Sequence, residues 1–243
     1  MPQLPLVDEY MPPLLAGERT VCRKLVLDHA GKVTDPRSVY YDVLWPAMER
    51  VEKLFRSDRI STAAESMATR INRSVADQLQ LKLSPSKPNG KRILITSAPG
   101  ESEELGSQMC ADLFEAHGWN VYFIGGGVPN DELLSLVGQL RPAIFLIFGT
   151  QPAGVPDVRQ LIDQIREIGI NPTMNIMVSG GVFNRADGLW KEVNADLFSS
   201  SAKESIAIAE SAEPRTPEPP RVGAPKKRRR RRRPPIPATA PQE

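Results

Sequence analysis

Apolar positions recur at helical spacing from Pro12 to Lys82, in Leu14, Leu15, Val21, Cys22, Leu25 and Val26, and again in Val43, Leu44, Met48, Val51 and Leu54. Asp35 before Pro36 marks a helix start, and Ser61 or Thr62 caps another helix that runs through Met67, Ile71 and Val75. Pro46 cannot continue a helix without losing a backbone bond, so the stretch around it predicts two helices or one kinked helix. The sum is about four short helices packed as a small bundle over residues 10–82, after an N-terminal tail at 1–9. Ser84-Pro85-Ser86-Lys87-Pro88-Asn89-Gly90 then reads as a linker, 83–90, and the period changes. Short runs rich in β-branched and aromatic residues follow: Arg92-ILITSA, Val121-YFIGG, Ala143-IFLIFG, Asn175-IMVSG and Ala195-DLFSS. Helical patterns such as Leu105 to His117 and Val158 to Ile168 separate them. Five β units alternating with helices over 91–210 predict an α/β domain of the flavodoxin or Rossmann kind, with a five-stranded parallel sheet covered on both faces. Such sheets take ligands outside the carboxyl ends of their strands.

Those ends carry small residues: Pro99-Gly100, Gly125-Gly126-Gly127 before Val128-Pro129, Gly149-Thr150 and Ser179-Gly180-Gly181. Each alone reads as an ordinary βα turn; together they favour a cleft in which a large flat ligand approaches the backbone. A phosphate ligand is disfavoured. The helix after the first strand opens with Glu101, Glu103 and Glu104, whose charges complement the positive helix end themselves and would repel a pyrophosphate.

The order of elements and several loop motifs resemble the cobalamin-binding family shared by methionine synthase, corrinoid methyl-carrier proteins and light-sensing cobalamin repressors. In the first half, LLAGERTVCRKLVLD, VYYDVLWPAMERVEKLF and ISTAAESMATRI are similar to the family's helical cap. In the second, PGESEELG resembles the first-loop motif that ends in HxxG, IGGGVP the loop after the second strand, and VSGGVF the Gly-Gly loop. The resemblance implies a cofactor seated between cap and sheet, contacted by Glu101, Ser102, Glu103, Gly106, Gly126, Gly127, Val128, Pro129, Phe148, Gly149, Thr150, Ser179, Gly180 and Gly181. It also implies departures. Glu103 stands where the family's cobalt-ligating histidine stands, and a hard carboxylate replaces a soft imidazole. Phe148 stands where the family has a serine lining the slot for the displaced nucleotide tail. Phe55 matches the cap tryptophan over the upper face, and Glu65-Ser66 the Glu-His pair of the light sensors. Thr62-x-x-Glu65 also reads as a capping box, and Glu103 also as a dipole-compensating surface residue. Of the two histidines, His117 before Gly118 reads as a helix C-terminal partner and His29 closes the first cap helix.

Charge adds a separate feature. Residues 213–243 hold ten Lys/Arg against three Glu, +7, which leaves residues 1–212 with 21 Lys/Arg against 26 Asp/Glu, −5. The run Lys226, Lys227, Arg228, Arg229, Arg230, Arg231, Arg232, Arg233 predicts polyanion or nucleic-acid binding without base reading, from a disordered tail spanning 211–243. Cys22 and Cys110 lack metal-site neighbours and read as thiols of a reducing compartment. No stretch approaches the roughly 20 apolar residues of a membrane span, and the N-terminus lacks signal-peptide order. A cytoplasmic protein is expected, with a protein partner or a second copy as its mate. The functional expectation is a non-catalytic module that binds cobalamin or another tetrapyrrole for sensing. A ligand-free scaffold with a polyanion-binding tail is the first rival, and a corrinoid methyl carrier of a methyltransferase system the second.

Overall fold

A computed structural model describes residues 5–101 and 104–217. The cap is built from α1 (Leu6–Leu15), α2 (Arg19–Ala30), α3 (Arg37–Val39), a π turn (Tyr40–Leu44), α4 (Trp45–Arg56) and α5 (Thr62–Gln80). The α/β domain follows as β1 (Arg92–Ser97), α6 (Leu105–Ala116), β2 (Asn120–Gly125), α7 (Asn130–Leu140), β3 (Ile144–Phe148), a 3-10 turn (Pro152–Gly154), α8 (Val155–Ile168), β4 (Asn175–Ser179), α9 (Gly181–Arg185), α10 (Leu189–Glu192), β5 (Leu197–Ser199) and α11 (Ala202–Ser211).

The first helix starts earlier than its prolines suggest. Val7, Tyr10 and Leu14 form one buried stripe, and the Tyr10 hydroxyl donates to Asn72 Oδ1 of α5 at 2.8 Å. Packing of that stripe outweighs the lost N–H groups of Pro12 and Pro13, so residues 6–9 belong to the cap and not to a tail. Around Pro46 the chain makes one continuous rod. Trp45 N–H donates five residues back to Tyr40 O, and this π register lets the helix pass a proline that has no N–H to give. Asp35 accepts from Arg37 N–H at 3.0 Å at the start of that rod. Ser61 caps α5, its Oγ accepting from Ala64 N–H at 3.2 Å. The cap therefore contains four rods, α1, α2, α3–α4 and α5.

The five strands are all parallel, in the order β2-β1-β3-β4-β5. Their alternation divides the core. Ile93, Ile95, Leu146 and Phe148 point toward α6, α11 and the cap, whereas Leu94, Phe145, Ile147 and Val178 point toward α7 and α8. Both faces are covered, which is why β3 and β4 are buried along their whole length. Segment 84–89 has no regular structure but is tied to the domain by Ser86 N–H to Ala116 O and Asn89 N–H to Gly118 O, both 2.9 Å.

The expected tail boundary at 211 shifts. Asn175 Nδ2 donates to Glu213 O at 2.8 Å, Arg215 N–H to Thr173 O at 2.9 Å, and Arg215 Nε to Asp196 at 2.9 Å. Residues up to 215 are thus fastened to the body by bonds that the sequence pattern does not display. Lys226, Lys227 and Arg228 through Arg233 lie outside the described residues.

Candidate functional site

The carboxyl ends of the strands meet the cap at their α6 side, and the first loop is held there by two carboxylates. Glu101 Oε1 accepts from the backbone N–H groups of Thr150, 2.5 Å, and Gln151, 2.8 Å, while Oε2 accepts from Thr150 Oγ1 at 2.5 Å. Glu104 Oε1 accepts from Gly126 N–H at 2.5 Å. These charges therefore lace the first loop to the second and third, and do not cap α6 as the sequence reading has it. The N–H donors that a ligand's oxygens could use at Gly126 and Thr150 are already engaged. Ser102 and Glu103 lie outside the described residues.

Beside this lacing, Phe148 ends β3 with only 2% of its surface exposed. A Cβ built on Gly106 would come within 2.2 Å of the Phe148 Cζ, so only glycine lets the ring lie against α6 at this point. The ring also meets Trp45 of the cap, T-shaped at 6.0 Å between centroids. Trp45 Nε1 in turn donates to Glu49 Oε1 at 2.9 Å, and burial holds the Glu49 carboxyl above its usual range despite that bond and with help from Glu52. Sequence reasoning missed Trp45. The aromatic expected over the site, Phe55, is instead 36% exposed at the end of α4.

The Gly-Gly loop is also closed from within. Gly180, at φ +103°, packs its backbone on Gly149, where a Cβ would lie 2.3 Å from the Gly149 oxygen. Gly181 lies under an ion pair between Arg185 and Glu52 of α4, and Arg185 also donates to Thr150 O at 2.6 Å. Buried Ser179 donates to Ser199 O at 2.9 Å. On the α7–α8 side the described residues leave a cavity of about 300 Å³, lined by Pro99, Gly100, Gly127, Val128, Pro129 and Asp157 among others.

In the cap, Glu65 accepts from the hydroxyls of Thr69, 3.2 Å, and Ser66, 3.4 Å. It forms no capping box, because the N-cap is Ser61 and Glu65 stands one residue beyond the position that reaches back. His117 Nδ1 lies 2.8 Å from Leu113 O in the last turn of α6, the helix-end role expected of it. Cys22 and Cys110 are free and buried. Among the described residues no group of three or more His, Cys, Asp or Glu is placed to hold a metal ion, and no helix is long and apolar enough to cross a membrane.

Comparison with known proteins bears on the whole arrangement. A family model described as "B12 binding domain" matches residues 91–204, and a second of the same description matches residues 9–80. The trimethylamine corrinoid protein of Methanosarcina barkeri is 22% identical over 154 residues, 63% of this chain and 69% of its own length. Dimethylamine corrinoid protein 1 of Methanosarcina mazei is 20% identical over 192 residues, 75% of this chain and 85% of its own. Among solved structures, the monomethylamine corrinoid protein of Methanosarcina barkeri superposes with a TM-score of 0.76 at 15% identity, covering 84% of this chain and 96% of the other. At that identity the likeness is one of fold.

Proposed function

The chain belongs to the family of cobalamin-binding domains with a helical cap, whose cofactor is a corrinoid, and on that premise we propose that it is a non-catalytic corrinoid module with a regulatory role. It holds its cofactor without a histidine ligand and without burying the nucleotide tail. The observation that carries this reading is the Phe148 ring lying against Gly106, with Trp45 behind it. The residues at that point do not fit a group inserted between β3 and α6, because the protein's own side chain fills the space. Glu103 offers no imidazole, so a bound cobalamin would keep its own base on cobalt. Occupancy would then pass to a protein partner or second copy through the cap.

Hydroxocobalamin titrated into the purified protein tests this. The expected result is binding with the optical spectrum of base-on cobalamin, and no protein nitrogen coupled to cobalt in the reduced, Co(II) state. A base-off spectrum or a coupled histidine nitrogen overturns it, and would favour a methyl carrier like the corrinoid proteins that the chain resembles.

A second reading, a scaffold that has given up the cofactor, draws on the engaged N–H groups at Gly126 and Thr150 and on the Glu52–Arg185 pair spanning cap and loop. A protein that stays colourless at saturating cobalamin supports it. In either case the eight cations Lys226–Arg233 are proposed to bind nucleic acid electrostatically. Truncation after Pro217, which spares the Arg215 anchor, should abolish that binding; retained affinity would assign it to the folded body.

A further inference from the structure

The cap and the α/β domain share one core, and a buried hydrogen-bonded group sits at their boundary. Asp112 of α6 is only 6% exposed. The hydroxyl of Tyr40, from the π turn of the cap, lies 3.0 Å from Asp112 Oδ2 and 3.1 Å from Ala76 O of α5. That hydroxyl has one proton and faces two acceptors. We propose that Asp112 is a proton-controlled latch between the cap and the α/β domain, closed when its carboxyl group is neutral.

With a proton on Oδ2 the chain of donors completes itself: Asp112 donates to Tyr40 Oη, and Tyr40 donates to Ala76 O. When Asp112 is ionised, Tyr40 turns its proton to the carboxylate. The Tyr40–Ala76 contact then becomes two oxygens with no proton between them, and a charge lies buried at the boundary. The charged groups around Asp112 reinforce the preference. Asp77 of α5, whose Oδ1 accepts from Gln108 Nε2 of α6 at 2.6 Å, and Glu115 of α6 both act against ionisation; Arg73, one turn before Asp77 on α5, carries the opposite charge and adds nothing to that preference. Burial first, and then these two carboxylates, push the Asp112 carboxyl up to about 7, although the Tyr40 hydrogen bond acts in the opposite direction.

The sign follows from linkage. With the cap lifted, Asp112 meets water and returns to the ordinary carboxylate range of about 4. Below that value it is neutral in both states and docking is at full strength. Between about 4 and 7 only the docked state holds the proton, so docking weakens by up to about tenfold per pH unit; above 7 it is flat. Because α6 carries Gly106 and the cap carries Trp45, loosening this boundary would also part Trp45 from Phe148.

Hydrogen exchange of the full chain, corrected for intrinsic rates, reads the latch in peptides covering α5 and α6 from pH 5 to 8. The wild-type opening constant should rise by up to about tenfold per pH unit to pH 7 and then level. In Asp112→Asn, whose amide is neutral at every pH and can donate to Tyr40, it should be flat. An independent check on the unaltered protein is a carbon-13 carboxyl titration, with the Asp112 midpoint expected near 7. A midpoint below about 5, or the same pH slope in Asp112→Asn as in wild type, overturns the proposal.

Discussion

The two sides of the sheet's carboxyl edge use the same kind of residue to opposite ends. On the α6 side, Gly106 receives the Phe148 ring and Gly181 lies under the Arg185–Glu52 pair, so the room that glycine creates is taken up by the protein itself. On the α7–α8 side, Gly100 and Gly127 have no atom of the described residues within 4 Å of where a Cβ would stand, and a cavity of about 300 Å³ remains beside them. A glycine at a strand end therefore signals that something approaches closely. It does not say whether a ligand or a side chain from another element does so. Phe148 fills the space beside Gly106, and its removal is the most direct way to break the comparison. Phe148→Ala should cost about 3–5 kcal/mol of stability, the range for a fully buried aromatic, read in urea or thermal unfolding. Val128→Ala, at a half-buried position on the cavity wall, should cost under about 1 kcal/mol. Similar losses at the two positions would mean that the α6 side is as open as the other.

A smaller effect sharpens the same point from the helix side. Gly106→Ala puts a methyl group into the Phe148 ring and should cost about 1–3 kcal/mol through overpacking, since the opposing atoms belong to a ring held by Trp45 and the sheet. Combined with Phe148→Leu, which shortens the side chain, the loss should be smaller than the sum of the single changes. Additive losses in that double-mutant cycle would show that the ring and the glycine do not act on one another.

The fold was legible because the period of apolar residues switches once, at the proline-rich linker, and because β1, β3 and β4 are buried on both faces and so read as continuous apolar runs. The start of the first helix lies ahead of the apolar pattern, which begins at Pro12, because its stripe is secured by contacts such as Tyr10 with Asn72, 62 residues away. The site was legible in outline only. Loop motifs located the edge of the sheet, but Glu101 and Glu104 are bound chiefly by backbone N–H groups 49 and 22 residues distant, and backbone donors leave no mark in a sequence. Trp45 is hidden from the sequence for a related reason: its ring meets Phe148 from the cap, and no spacing rule connects residues 45 and 148.

The smallest expected effect belongs to the ion pair that reaches from α4 across Gly181. Glu52 and Arg185 keep 31% and 28% of their side-chain surface exposed, so water and salt screen them. Their mutual attraction is set against the entropy of holding two long side chains in one geometry. A double-mutant cycle with Glu52→Gln and Arg185→Gln should give a coupling of about 0.2–1 kcal/mol at low ionic strength, shrinking in 1 M salt. Arg185 also donates to Thr150 O, and that bond is lost in both halves of the cycle that contain Arg185→Gln, so it cancels from the coupling. If packing of Trp45 on Phe148 closes this side, the clasp is only a trim on a cleft already shut. A coupling above about 2 kcal/mol that resisted salt would reverse the order, making a charged strap the principal closure and the aromatic pair secondary to it.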